Sequence, residues 1–159
     1  MDSYLLVKLV HVLSSTLLFS TGLGTAFHGW MAGRSRNLAA MRVVNRNVVL
    51  ADWLFTTPAV IVQPVTGVWL ALQAGFPLTE GWLALAILLY IFVSACWLPV
   101  VWLQLQMQRM VATAEDTGQP LPARYEKFAR LWFRLGWPAF IAVIAIFYLM
   151  IVKPEIGFL

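Results

Sequence analysis

Four long apolar runs divide this chain, at residues 4–31, 48–73, 81–106 and 131–152. Each reaches the ~20 residues that a helix needs to cross the hydrocarbon of a bilayer. A lipid-facing strand would alternate apolar and polar positions, whereas these runs are continuous. The pattern therefore predicts an all-α integral membrane four-helix bundle in a single domain, residues 1–159. The first run is expected to be retained as a span and not cleaved as a signal peptide. Asp2 precedes it, its apolar stretch is too long for a signal core, and Lys8 lies inside it.

Composition agrees with the pattern. Hydrophobic residues make up 61% of the chain and charged residues 11%, against about 45–50% and about 25% in soluble domains. The bilayer is thus the expected partner. A net charge of +4 does not call for nucleic acid, because the bases gather in loops, where they report topology. Arg34, Arg36, Arg42 and Arg46 fall between the first two runs with no acid among them. Arg109, Arg124, Lys127 and Arg130 mark the third linker, Arg134 follows at the start of the fourth run, and the AGFPLTE loop has no base. The positive-inside rule then puts the first and third loops in the cytoplasm, giving an N-out/C-out protein of a bacterial inner membrane. The single Cys96 excludes an intramolecular disulfide and any multi-cysteine metal site.

Polar residues inside the runs are the candidates for chemistry, because ionisable groups in a span are costly. Lys8 and His11 lie at i and i+3, on nearly one helix face, where one partner can meet both. Gln63 is the strongly polar residue in the middle of the second run. His28 follows His11 by seventeen residues, ~25 Å along a helix, so the two cannot ligate one heme from the same chain. His28, Asp52 and Arg134 share one depth and are read as an inner polar cluster, with a helix-entry salt bridge as its plainer form.

Pro58, Pro64, Pro99 and Pro138 are expected to irregularise their helices and free carbonyls, for which Thr56, Thr57 and Thr66 are candidate donors. The small residues of TGLGTA predict close helix approach. Trp30, Trp53, Trp69, Trp82, Trp102, Trp132 and Trp137 fall near span ends, as an aromatic belt does. Gln104, Gln106 and Gln108 read as a solvated helix end. The basic and aromatic positions of the third linker suit either an anionic-lipid contact or a simple helix entry. Nucleotide, phosphate and zinc motifs are absent from the sequence.

Three segments carry a resemblance. VKLVHVLSSTLLFSTGLGTAF, PAVIVQPVTGVWLAL and RLWFRLGWPAFIAVIAIFYLMIVKP resemble helices of HemJ-type protoporphyrinogen IX oxidases. ADWLFTTPAV, ACWLPVVWLQ and RLWFRLGWPAF are similar to an uncharacterised bacterial family of predicted integral membrane proteins. That family resembles copper-resistance D-type membrane domains as well. The HemJ resemblance implies a bundle that binds heme b, with His11 as axial ligand, Lys8 tuning it and Gln63 shaping the cavity. The family's third-helix lysine falls at Ala86, and its Asn-Glu is replaced by Leu135, Gly136 and Trp137, so the oxidase reaction does not carry over. The sequence thus leads to a heme-b-binding, redox- or tetrapyrrole-linked membrane protein. The alternatives are a non-catalytic module for transport of a small solute or metal or for partner assembly, and a pair of residues, Lys8 and His11, that hold lipid headgroups. A homo-oligomer is left open.

Overall fold

The computed structural model describes residues 2–157. Helix α1 covers Ser3–Ser35, α2 Leu38–Ala51, α3 Thr57–Gln73, α4 Gly81–Thr117 and α5 Ala123–Val152. A π-helical turn, Asp52–Thr56, joins α2 to α3, so these form one long rod. The fold is therefore all-α, with four rods long and apolar enough to cross a membrane. Their outward faces carry large apolar side chains such as Leu13, Ile61, Leu88 and Ile141, as lipid contact requires.

Local chemistry sets the ends. The Asp2 carboxylate accepts from the Tyr4 amide at 3.1 Å and starts α1, and Asn37 does the same for α2 through Ala40, also at 3.1 Å. Gly118, in the left-handed region at φ 64°, stops α4. Pro122 stands just before α5.

The helices outrun the apolar runs at the arginine-rich end. The second rod begins at Leu38, and α4 continues to Thr117. The reason is a second packing surface beyond the spans. Met41, Asn45 and Val48 recur at helical spacing on α2 and are all buried. Met41 joins Ala32, Met107, Val111 and Tyr125 in one core, braced by Arg42 ion-pairing with Asp116 and, at 3.1 Å, Glu115. We call this the basic end.

At the opposite end Ala71, Trp82, Leu83, Ala86 and Leu149 form a separate core. The C-terminal segment folds over it. A side chain at Gly81 would overlap the Ile156 carbonyl, and Lys153 lies 4.7 Å from the Phe76 ring centroid and 5.6 Å from that of Trp82. Trp82 is therefore a core residue and not a member of an aromatic belt; Trp30, Trp53, Trp102 and Trp137 remain exposed.

Between the two cores, α1 packs along α2 and α3, and α4 along α5 and α2, while α1 and α5 meet sparsely. Phe19 bridges them, stacking on Phe140 at 5.4 Å and edge-on to Phe147 at 5.6 Å. Two expectations change here. The small residues of TGLGTA make no close crossing within the chain, since a Cβ at Gly22 or Gly24 would meet nothing within 4 Å. The carbonyl that Pro64 leaves free, that of Val60, is not taken by a threonine. Tyr90 of α4 donates its hydroxyl to it at 2.6 Å, tying α3 to α4.

Candidate functional site

Two polar groupings lie inside the bundle, and they differ in how fully their hydrogen bonds are made. The first joins α1 to α3 in the half away from the basic end. Ser14, one turn after His11, donates to Gln63 Oε1 at 2.6 Å. That turns the Gln63 amide nitrogen toward His11 Nε2, 3.1 Å away. Thr66, one turn beyond Gln63, commits its hydroxyl proton to the Val62 carbonyl at 2.7 Å, so its oxygen accepts from His11 Nδ1 at 2.9 Å. The donors and acceptors run in one consistent direction and define a neutral imidazole protonated on Nδ1. Gly67 completes the node, because a Cβ there would stand 3.0 Å from His11 Cε1.

His11 and Gln63 meet, and Lys8 does not join them. It is exposed and lies 6.0 Å from the Tyr4 ring centroid, one turn toward the helix start. An axial heme ligand needs a free ring nitrogen and space beside it. Both nitrogens of His11 are engaged, and its ring packs against Gly67. A heme bound through His11 would have to displace the Gln63 amide from Nε2, while the Thr66 contact on Nδ1 is of the kind a ligating imidazole keeps.

The second grouping lies toward the basic end. Asp52, in the π-helical turn, is buried; its Oδ1 accepts from Thr56 at 2.8 Å, and its Oδ2 has no partner among the described residues. Gln104 of α4 approaches this carboxyl. The Oε1 of Gln104 and the Nδ2 of Asn45 are likewise buried and unpartnered. Asn45 is approached by the Tyr125 hydroxyl. Buried polar atoms without partners are costly and rare, so a layer containing three of them calls for explanation. No pattern along the chain marks Gln104 for this layer. It is buried, not part of a solvated helix end, because α2 extends far enough to cover it. Asn45 carried a faint signal, a polar residue on the apolar stripe of α2.

Asn45 and Gln104 both line a cavity of about 810 Å³ among α1, α2, α4 and α5. Its rim carries Arg34, Arg36, Arg130 and Arg134, all exposed and none ion-paired among the described residues. Glu126 supplies a carboxylate to the same lining. The expected cluster of His28, Asp52 and Arg134 does not assemble. His28 is exposed and sits edge-on to Phe27 at 5.9 Å, Arg134 is on the cavity rim, and Asp52 turns toward Thr56 and Gln104. No group of three His, Cys, Asp or Glu residues suited to a metal occurs among the described residues.

The sequence profile of the family described as "Predicted integral membrane protein (DUF2269)" matches residues 5–154, and the chain belongs to that family. No curated protein and no solved structure matches it.

Proposed function

We propose that this member of the family is a membrane module that takes the anionic headgroup of a phosphate-bearing amphiphile into the cavity at its basic end. The observation that carries the reading is the pairing of four rim arginines with buried, unpartnered amides on Asn45 and Gln104. A volume of about 810 Å³ falls within the ~300–1,000 Å³ of ligand pockets. Guanidinium groups bind phosphate bidentately, and Asn45 and Gln104 belong to the same lining.

Under the positive-inside rule this end faces the cytoplasm, where the leaflet is rich in anionic lipid. The sparse seam between α1 and α5 supplies a lateral route for acyl chains. The protein then works as a binding or carrier module, and the His11 node holds α1 to α3.

The test is lipid retention. Native mass spectrometry of protein from discs of mixed phosphatidylcholine and phosphatidylglycerol is expected to show phosphatidylglycerol selectively retained. Arg130→Gln/Arg134→Gln is expected to lose that selectivity while keeping its helix content. Equal retention of the two lipids by the parent protein would overturn the reading.

A further inference from the structure

Phe133, Trp137, Phe140, Ile144 and Phe147 recur at alternating spacings of four and three along α5, so they form one stripe down the helix. The rings touch in sequence. Phe133 meets Trp137 edge-on at 6.1 Å between centroids, and Trp137 meets Phe140 at 6.4 Å. Phe19 of α1 then links Phe140 to Phe147. From Phe133 to Phe147 the stripe is ~21 Å long, most of the ~30 Å thickness of the hydrocarbon.

Two features set this stripe apart from ordinary lipid-facing surface. An aromatic belt lies across helix ends, whereas these rings run along one helix into the bilayer. The stripe also begins in the basic-end cavity. Phe133 belongs to that lining, between Arg130 and Arg134 of the same rim. A stripe with this spacing ordinarily packs against a second helix. Here α1 reaches it through Phe19, while Phe133, Trp137 and Ile144 stay exposed.

We propose, resting on the headgroup reading above, that the stripe holds the tail of a single-chain isoprenoid phosphate whose anion meets the rim arginines. One continuous track leaves the cavity along α5, which suits one long chain better than the two chains of a glycerophospholipid. The methyl branches and alkene hydrogens of a prenyl chain recur at short intervals, and each can rest on the negative face of a ring. Head and tail sites adjoin, because Phe133 is shared between the cavity and the stripe.

Native mass spectrometry tests the tail at constant headgroup, using phosphatidylcholine discs with equal amounts of undecaprenyl phosphate and dioleoyl phosphatidic acid. Both end in a phosphate monoester, so the arginine rim alone does not separate them. The prenyl phosphate is expected to be retained about two- to tenfold over phosphatidic acid, the scale of an aromatic contact. Trp137→Leu, at a position more than half exposed, is expected to remove most of that preference. Its retention of phosphatidic acid over phosphatidylcholine is expected to persist. If neither phosphate lipid is retained over phosphatidylcholine, the headgroup reading falls and the proposal with it. If both are retained equally, or phosphatidic acid more, that reading stands and the proposal alone is overturned. An unchanged preference in Trp137→Leu overturns it as well. So does a dimer in discs that Trp137→Leu makes monomeric, which would give the stripe to a second copy.

Discussion

The His11 node, half-buried, and the Asp52–Gln104 layer, buried, are both polar groupings between helices, and they are opposite in character. In the node every ring nitrogen, amide and hydroxyl has a partner, from Ser14 through Gln63 and His11 to Thr66. In the layer, Asn45, Asp52 and Gln104 each leave an atom unpaired, and each of the three lines a cavity. A satisfied network acts as a fastener between helices; an unsatisfied one holds capacity for something that is not part of the chain. On this reading the costly histidine that draws the eye in the sequence is a fastener, and Asn45 and Gln104 mark the proposed binding region.

The sharpest way to break this contrast is to make the same kind of change in both places. Gln63→Leu strips His11 Nε2 of its partner and leaves the Ser14 hydroxyl only the Ala59 carbonyl, 3.3 Å away. It is expected to lower stability by about 1–3 kcal/mol, the cost of leaving buried polar groups unpaired. Thermal unfolding in detergent reads this. Gly67→Ala should act in the same direction, since the new methyl pushes on the imidazole. An unchanged midpoint in Gln63→Leu would mean that the node fastens nothing.

Gln104→Met tests the other region and carries the opposite sign. It replaces an orphaned amide by an apolar group of similar shape, so the bundle is expected to gain about 1 kcal/mol. The same variant should retain less phosphatidylglycerol. Stability gained while binding is lost is the signature of a group kept for a ligand. If Gln104→Met destabilises the protein as Gln63→Leu does, the two regions are alike and the comparison fails.

The contrast also explains what could be read beforehand. Four spans are legible because length and hydropathy alone define them. The extensions of α2 and α4 are not, because Arg42, Arg46 and Arg109 make those stretches look like loops, while their apolar stripe is only a few residues long. That His11 and Gln63 meet is half legible, since each is a lone strongly polar group in its helix. That Thr66 and Ser14 close the circuit depends on the register of α1 against α3, which no single-helix pattern contains. Gln104 is hidden for the same reason, because its burial comes from another helix, α2. Trp82 reads as an anchor by position and becomes core only because Phe76 and Leu149 pack on it.

The smaller effects concern how the halves are joined. Tyr90→Phe removes the hydroxyl that covers the Val60 carbonyl beneath Pro64, and is expected to lower stability by about 0.6 kcal/mol, as interhelical hydrogen bonds in membranes do. Pro64→Ala restores a backbone amide to that carbonyl. In its background, Tyr90→Phe should therefore cost less, a coupling that a double-mutant cycle measures.

Arg42→Gln is expected to do least. Its pairs with Glu115 and Asp116 are partly or largely exposed, and such pairs contribute about 0–1 kcal/mol and weaken with salt. Adding salt to the parent protein should therefore move its midpoint toward that of Arg42→Gln, while leaving the deficit of Gln63→Leu in place. The node is half-buried between helices and, with this direction of hydrogen bonding, uncharged, so ions have no charge there to screen. A salt response in the Gln63→Leu deficit would require His11 to carry charge, and that would undo the direction of hydrogen bonding on which its role as a fastener rests.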